Sequence, residues 1–136
     1  MPDVSVMRME EMDSVFGGMF VRARGSLGVT SFGMNVENLP PNHDQYPNHD
    51  HVNDAPDGQE EVYIPLRGSA KLIVGDAEWD LAPGTMARVA AAEKRRIVPG
   101  PDGVQLLCLG GTPGKAYEAP PWSEAGAPPP QPPTQG

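Results

Sequence analysis

The sequence predicts an all-β domain in which many short strands close into a sandwich or barrel. Seventeen Pro and sixteen Gly, about a quarter of the 136 residues, interrupt long helices and favour turns. Between them lie short runs rich in Val, Ile, Thr and aromatic residues, spaced as the strands of such folds are. The length suits one core rather than two.

Residues 1–14 have weak order signals; Met7, Met9 and Met12 with Glu10 and Glu11 suit a helical turn or an edge strand. Strand-like pattern begins with residues 19–24, turns at Gly25-Ser26 and resumes over residues 29–37, with Thr, Phe and Val. Leu39-Pro40-Pro41-Asn42 ends that run, and a polar loop leads into a strand carrying His49 and His51. Residues 53–58 are a turn cluster. Strands are then expected over residues 61–67 and 69–74, hinged at Gly68, with a turn at Gly75-Asp76 and a return over 77–81. Pro83-Gly84 turns into residues 85–89; residues 95–98 and 104–109 follow, separated by the turn Pro99-Gly100-Pro101-Asp102-Gly103. Pro65 sits in mid-strand without a ladder donor, so it requires an edge, a bulge or an outward-facing nitrogen. No internal repeat is visible. From Ala119 the composition changes to proline clusters, expected as an extended, flexible tail over 119–136 with Trp122 pinning its start. Pro129 and Pro132 have the Pro-x-x-Pro spacing of a partner ligand, a pattern common by chance in such tails.

Composition excludes several classes. A net charge of −8 repels phosphate backbones, so nucleic acid is not an expected partner. No apolar stretch reaches the roughly 18 residues that span a bilayer, and residues 1–12 lack the layout of a secretory signal. A cytoplasmic protein with no membrane partner is the expectation. The lone Cys108, set among leucines, reads as a small core residue.

The chemistry concentrates at His49-Asp50-His51 and Glu61. All three histidines (His43, His49, His51) fall within nine consecutive residues. In an extended strand His49 and His51 share a face while Asp50 points away. Glu61 opens the next apolar run, so two imidazoles and one carboxylate can converge from neighbouring strands. That donor set is associated with non-haem iron sites that keep open positions. Tyr63 shares the face of Glu61. His43 reads as a rim residue of the preceding loop. Met19, Met34 and Met86 read as core filler or a soft pocket wall.

These residues resemble the cupin superfamily. Its first motif, His-x-His, a gap, Glu, six residues and Gly, is matched by His49, His51, Glu61 and Gly68, with residues 62–67 as the spacer. Gln59-Glu60-Glu61-Val62-Tyr63 and Leu66-Arg67-Gly68 resemble its usual wording, and Pro83-Gly84 resembles the start of the second motif. Gly110-Gly111-Thr112-Pro113-Gly114 with Tyr117-Glu118 is similar to a tail of small bacterial cupins. The resemblance covers about residues 39–110. It implies a double-stranded β-helix (jelly-roll) barrel domain over residues 1–118, its short N-terminal segment included, followed by the proline-rich tail over 119–136. It also implies a divalent metal (Fe, Mn, Zn or Ni) on His49, His51 and Glu61, a small-molecule ligand and a homodimer by sheet-edge pairing.

Three departures stand out. Nine residues separate His51 from Glu61 where the family has three or four, a cheap extension because closure entropy grows logarithmically. The leading Gly is replaced by His43. The fourth ligand, a second-motif His, is absent: the matching positions counted from Gly84 hold Ala90, Ala92 and Arg95. A guanidinium has no lone pair for a metal. Three arrangements follow: a three-ligand metal with Arg95 tilted away, Arg95 holding a carboxylate or phosphate of a substrate beside the metal, or no metal and a buried Arg95–Glu61 pair. A register slip would bring Arg96 inward instead, and Glu93 is a candidate replacement carboxylate. Two function classes stay open. One is a metal-dependent enzyme, such as an oxygenase or isomerase, with Arg95 and Tyr63 at the substrate. The other is a metal-free binding module or sensor in which Arg95 holds an anionic group.

Overall fold

The computed structural model describes residues 2–54 and 58–129. Its strands are β1 (Ser14–Val15), β2 (Phe20–Val21), β3 (Gly33–Leu39), β4 (Glu60–Val74), β5 (Ala77–Leu81), β6 (Ala87–Val89) and β7 (Arg96–Gly111). They form one antiparallel sheet in the order β1-β2-β3-β7-β4-β5, with β6 also on β4, curled into a jelly-roll barrel. One short helix, α1 (Ala23–Leu27), replaces the expected end of a strand and its Gly25-Ser26 turn. Among the described residues, no helix is long and apolar enough to cross a membrane.

Two long strands make the barrel. The first half of β4 pairs with β6 and with the end of β7; its second half pairs with β5 and with the beginning of β7. The turn expected at residues 99–103 is instead continuous strand, because both halves of β7 have partners on β4 and pairing outweighs local turn chemistry. Pro65 is accommodated as required: it faces Leu106 beside a register shift between Pro65 and Arg67. Gly68 lies at a second shift, with φ +74° and an added Cβ only 2.2 Å from the Gly103 carbonyl oxygen. Gly68→Ala is therefore expected to cost more than about 2 kcal/mol, from a disfavoured φ and a backbone clash. Urea unfolding reads this directly, and a midpoint equal to the parent's would refute it.

Alternation builds two apolar clusters. Val104, Leu106 and Cys108 of β7 point into the barrel with Leu39, Tyr63, Leu72, Leu81, Val89 and Ile97. Leu107, facing the other way, joins Val21, Ala23, Val36, Met12 and Met34 in a smaller cluster between the sheet and the N-terminal segment. Each large side chain so buried contributes roughly 1.5–3 kcal/mol. Cys108 is a buried free thiol, as its leucine-rich setting suggests.

The chain from Pro120 returns to the barrel. Pro121–Ser123 is a single 3-10 turn, and Trp122 packs edge-on against Phe20 with ring centroids 5.5 Å apart. Beyond Trp122, the Ala127 and Pro128 carbonyls accept from Arg22 at 2.7 and 2.8 Å. The contacts thus extend past the one pinning residue expected. Pro132, the second proline of the Pro-x-x-Pro spacing, lies outside the described residues.

Candidate metal and ligand site

His49 sits opposite Arg95 in an isolated antiparallel bridge rather than in a strand. Its N–H donates to the Arg95 carbonyl at 3.0 Å, and the Arg95 N–H returns to His49 at 2.8 Å. His51 N–H donates to the Ala91 carbonyl at 2.9 Å. Residues directly opposite in such a pair share a face, so the position that lacks the fourth histidine is aimed at the His-x-His pair. Arg95 is the inward residue, 0% exposed, while Arg96 and Glu93 are exposed. Glu93 supplies only its backbone carbonyl, which accepts from Arg95 Nε at 2.9 Å.

Candidate ligand atoms of His49, His51 and Glu61 all lie within 4.8 Å of one another. Both imidazoles are oriented through Nδ1, by the Pro47 carbonyl at 2.9 Å for His49 and by Asp54 Oδ2 at 2.7 Å for His51. Such tethers fix the tautomer and leave Nε2 for a metal. The rings meet edge to face with centroids 4.9 Å apart. His51 Nε2 lies 3.2 Å from Glu61 Oε1, close to the roughly 3 Å between adjacent donors at about 2.1 Å from one ion. Donor chemistry and spacing fit a divalent metal.

Glu61 is the hub without one. Its Oε1 accepts from His51, from the Tyr63 hydroxyl at 2.5 Å and from Arg95 Nη1 at 3.1 Å. Burial pushes the Glu61 carboxyl up, but these donors outweigh it and hold it below the usual range. Burial lowers His51 as well, yet Asp54 and Glu61 carry it up to about 9. His49 is held below its ordinary value, chiefly by burial, and so stays neutral with Nε2 free. Arg95 Nη2 donates to the Ala90 carbonyl at 2.6 Å, so each of its three nitrogens has a protein acceptor. Arg95 and Tyr63, expected at a substrate, are fully buried, and both hydrogen-bond Glu61.

A cavity of about 70 Å³ adjoins this cluster, lined among others by Asn35, His51, Glu61, Arg22, Arg24 and Trp122. A larger open groove of about 780 Å³, beside Gly68 and Gly103, includes none of the three candidate ligands. We place the site at the smaller cavity, where the polar groups converge.

Sequence reasoning missed Glu37, Arg22 and Arg24. Burial, then the charge of Glu61, pushes the Glu37 carboxyl up to about 8, against hydrogen bonds with Tyr46 and Cys108. Its Oε1 is enclosed, with no partner among the described residues. The available signal was alternation along β3, which puts Asn35 and Glu37 on the face of the core residue Leu39. Arg22 and Arg24 were visible only as two cations among apolar residues.

No family model and no curated protein matches the chain. Solved structures do. A cupin protein from Bacteroides fragilis superposes with a TM-score of 0.66 at 21% identity, over 88% of this chain and 93% of that one. A sugar phosphate isomerase from a cupin superfamily, from Silicibacter pomeroyi, gives 0.58 at 22% identity, over 68% of this chain and 58% of that one. A chain from structures of DMSP lyases gives 0.51 at 24% identity, over 61% of this chain and 40% of that one. This chain thus spans less than two thirds of the second and third proteins. With β4 and β7 pairing along both halves and these likenesses, the chain has the cupin barrel fold.

Proposed function

We propose that the protein binds a divalent metal through Nε2 of His49, Nε2 of His51 and the Glu61 carboxylate, with a small organic anion in the adjoining cavity. The observation that carries this reading is the pair of Nδ1 tethers, which orient two imidazoles so that their candidate ligand atoms and that of Glu61 lie within 4.8 Å of one another, with His51 Nε2 against Glu61 Oε1. Bound there, a metal would supply Lewis acidity or oxygen activation, the basis of an isomerase or oxygenase reading. Glu61 turning toward the ion would release Arg95 Nη1 and the Tyr63 hydroxyl, which then face the ligand. The fold alone names no reaction. Protein purified without a His tag is expected to hold, or take up from added iron, manganese, zinc or nickel, about one equivalent of metal. Less than a tenth of an equivalent, with no uptake, overturns the reading.

The Arg95–Glu61 pair favours a second reading, a metal-free binding module or sensor. A ligand-dependent rise in melting temperature with metal chelated throughout selects it. In either case we expect a cytoplasmic homodimer of one barrel over residues 1–118. Sedimentation equilibrium reads the dimer directly.

A further inference from the structure

Arg22 and Arg24 are deeply buried cations, 2% and 4% exposed, and both line the cavity that His51 and Glu61 share. Their partners are unequal. Arg22 pairs with Asp13 at 2.8 Å, and its other protein acceptors are the Ala127 and Pro128 carbonyls. Its Nε is buried with no partner among the described residues. Arg24 donates to the Val29 carbonyl at 2.7 Å and to Ser123 Oγ at 3.2 Å, and its carboxylate partner is Glu124 at 2.5 Å. The Glu124 side chain is 59% exposed, so water reaches it while the arginine stays enclosed.

A buried guanidinium left without an anion is costly. The anion here comes from a segment at the cavity mouth, where Pro120, Trp122 and Ser123 form part of the wall. With that segment in place the cavity, about 70 Å³, has room for a few waters and not for a metabolite. The segment also lies against Gly25, where an added Cβ would come 2.4 Å from the Ser123 carbonyl oxygen and 2.9 Å from the Ala125 nitrogen.

We propose that Arg22 and Arg24 form an oxyanion subsite of this cavity, which the chain's own Glu124 carboxylate and the Ala127 and Pro128 carbonyls fill until a carboxylate or phosphate displaces them. The inference rests on the small-anion half of the proposed function and names where the anionic group binds. Residues 120–128 are then a competitive strap. Two guanidiniums present the paired donors that carboxylate and phosphate oxygens accept, and lifting the strap enlarges the cavity for the rest of the ligand.

The test titrates full-length protein in chelator with inorganic phosphate and, separately, malonate. Calorimetry gives affinity, and Trp122 emission is followed in a Trp79→Phe background. Glu124→Gln removes the competing charge, and Gly25→Ala wedges the strap away without replacing either arginine. Both are expected to tighten at least one of the two anions by at least fivefold, with the parent's Trp122 emission shifting red on saturation. The anion that gains identifies the group recognised. Arg24→Gln in the Gly25→Ala background is expected to abolish the gain. Equal affinities in parent, Glu124→Gln and Gly25→Ala, or binding that leaves Trp122 emission unchanged, overturns the proposal. Because metal is chelated, failure of metal uptake leaves this result standing, and failure here leaves the metal reading standing.

Discussion

Arg95→His is expected to weaken the metal-free protein by about 2–4 kcal/mol and to tighten metal binding by at least a hundredfold. The losses come from groups that Arg95 satisfies: Glu61 Oε1 and the Ala90 and Glu93 carbonyls. Breaking a buried pair from one side strands the partner's charge, a penalty of about 3–5 kcal/mol when nothing replaces it. The gain has two sources. A guanidinium about 5 Å from a divalent ion repels it by several kcal/mol at an effective dielectric near 20. An imidazole opposite His49 also supplies the donor that Arg95 does not. Arg95→Leu separates the two, since it removes the repulsion without adding a ligand; its affinity is expected between those of parent and Arg95→His. Melting temperature with and without metal, together with competitive chelator titration, reads both effects. A histidine variant as stable as the parent and no tighter for metal would remove Arg95 from the account of this site.

The core of this site was legible because it is carried by short spacings. His49, His51, Glu61 and Gly68 lie within 20 residues, and each spacing has one physical meaning: a shared face of extended chain, though His49 forms only an isolated bridge and no strand, an adjoining strand, and a backbone that must approach Gly103. Arg95 was legible too, since the count from Gly84 and the His49 bridge agree. What stayed hidden depends on contacts between distant segments. Residues 19–24 read as a strand, but Ala23–Leu27 winds into a helix that buries Arg24. Its partner Glu124 is 100 positions away, in a stretch whose prolines suggested only an extended tail. Glu37 looked like one of many acids in an acidic chain. Its significance comes from β7 and Tyr46 closing around it. Pro99-Gly100-Pro101 looked like a turn because local composition cannot show that β4 offers partners on both sides.

Stability and metal affinity are expected to move in opposite directions as pH rises. In the metal-free protein, His51 is raised from 6.5 to about 9 and Glu37 from 4.5 to about 8. Each folded-state value lies above the unfolded one, so between those limits the folded state binds more protons and stability falls with pH. The windows are pH 6.5–9 for His51 and 4.5–8 for Glu37, each contributing up to about 1.4 kcal/mol per pH unit and less where the two groups couple. The depressed Glu61 and Asp13 act the other way, but only in acid, so they do not offset this loss. A metal must displace the His51 proton to reach Nε2. Apparent affinity should therefore climb about tenfold per pH unit, or about a hundredfold from pH 6.5 to 8.5, with one proton released per ion. Manganese titrations in buffers of different ionisation enthalpy count that proton. His51→Gln should flatten the fall in metal-free melting temperature above pH 6.5. Affinity that stays constant from pH 6.5 to 8.5 would show that the ion does not bind through His51, because that imidazole is held protonated by the carboxylates of Asp54 and Glu61 until a metal takes the proton's place.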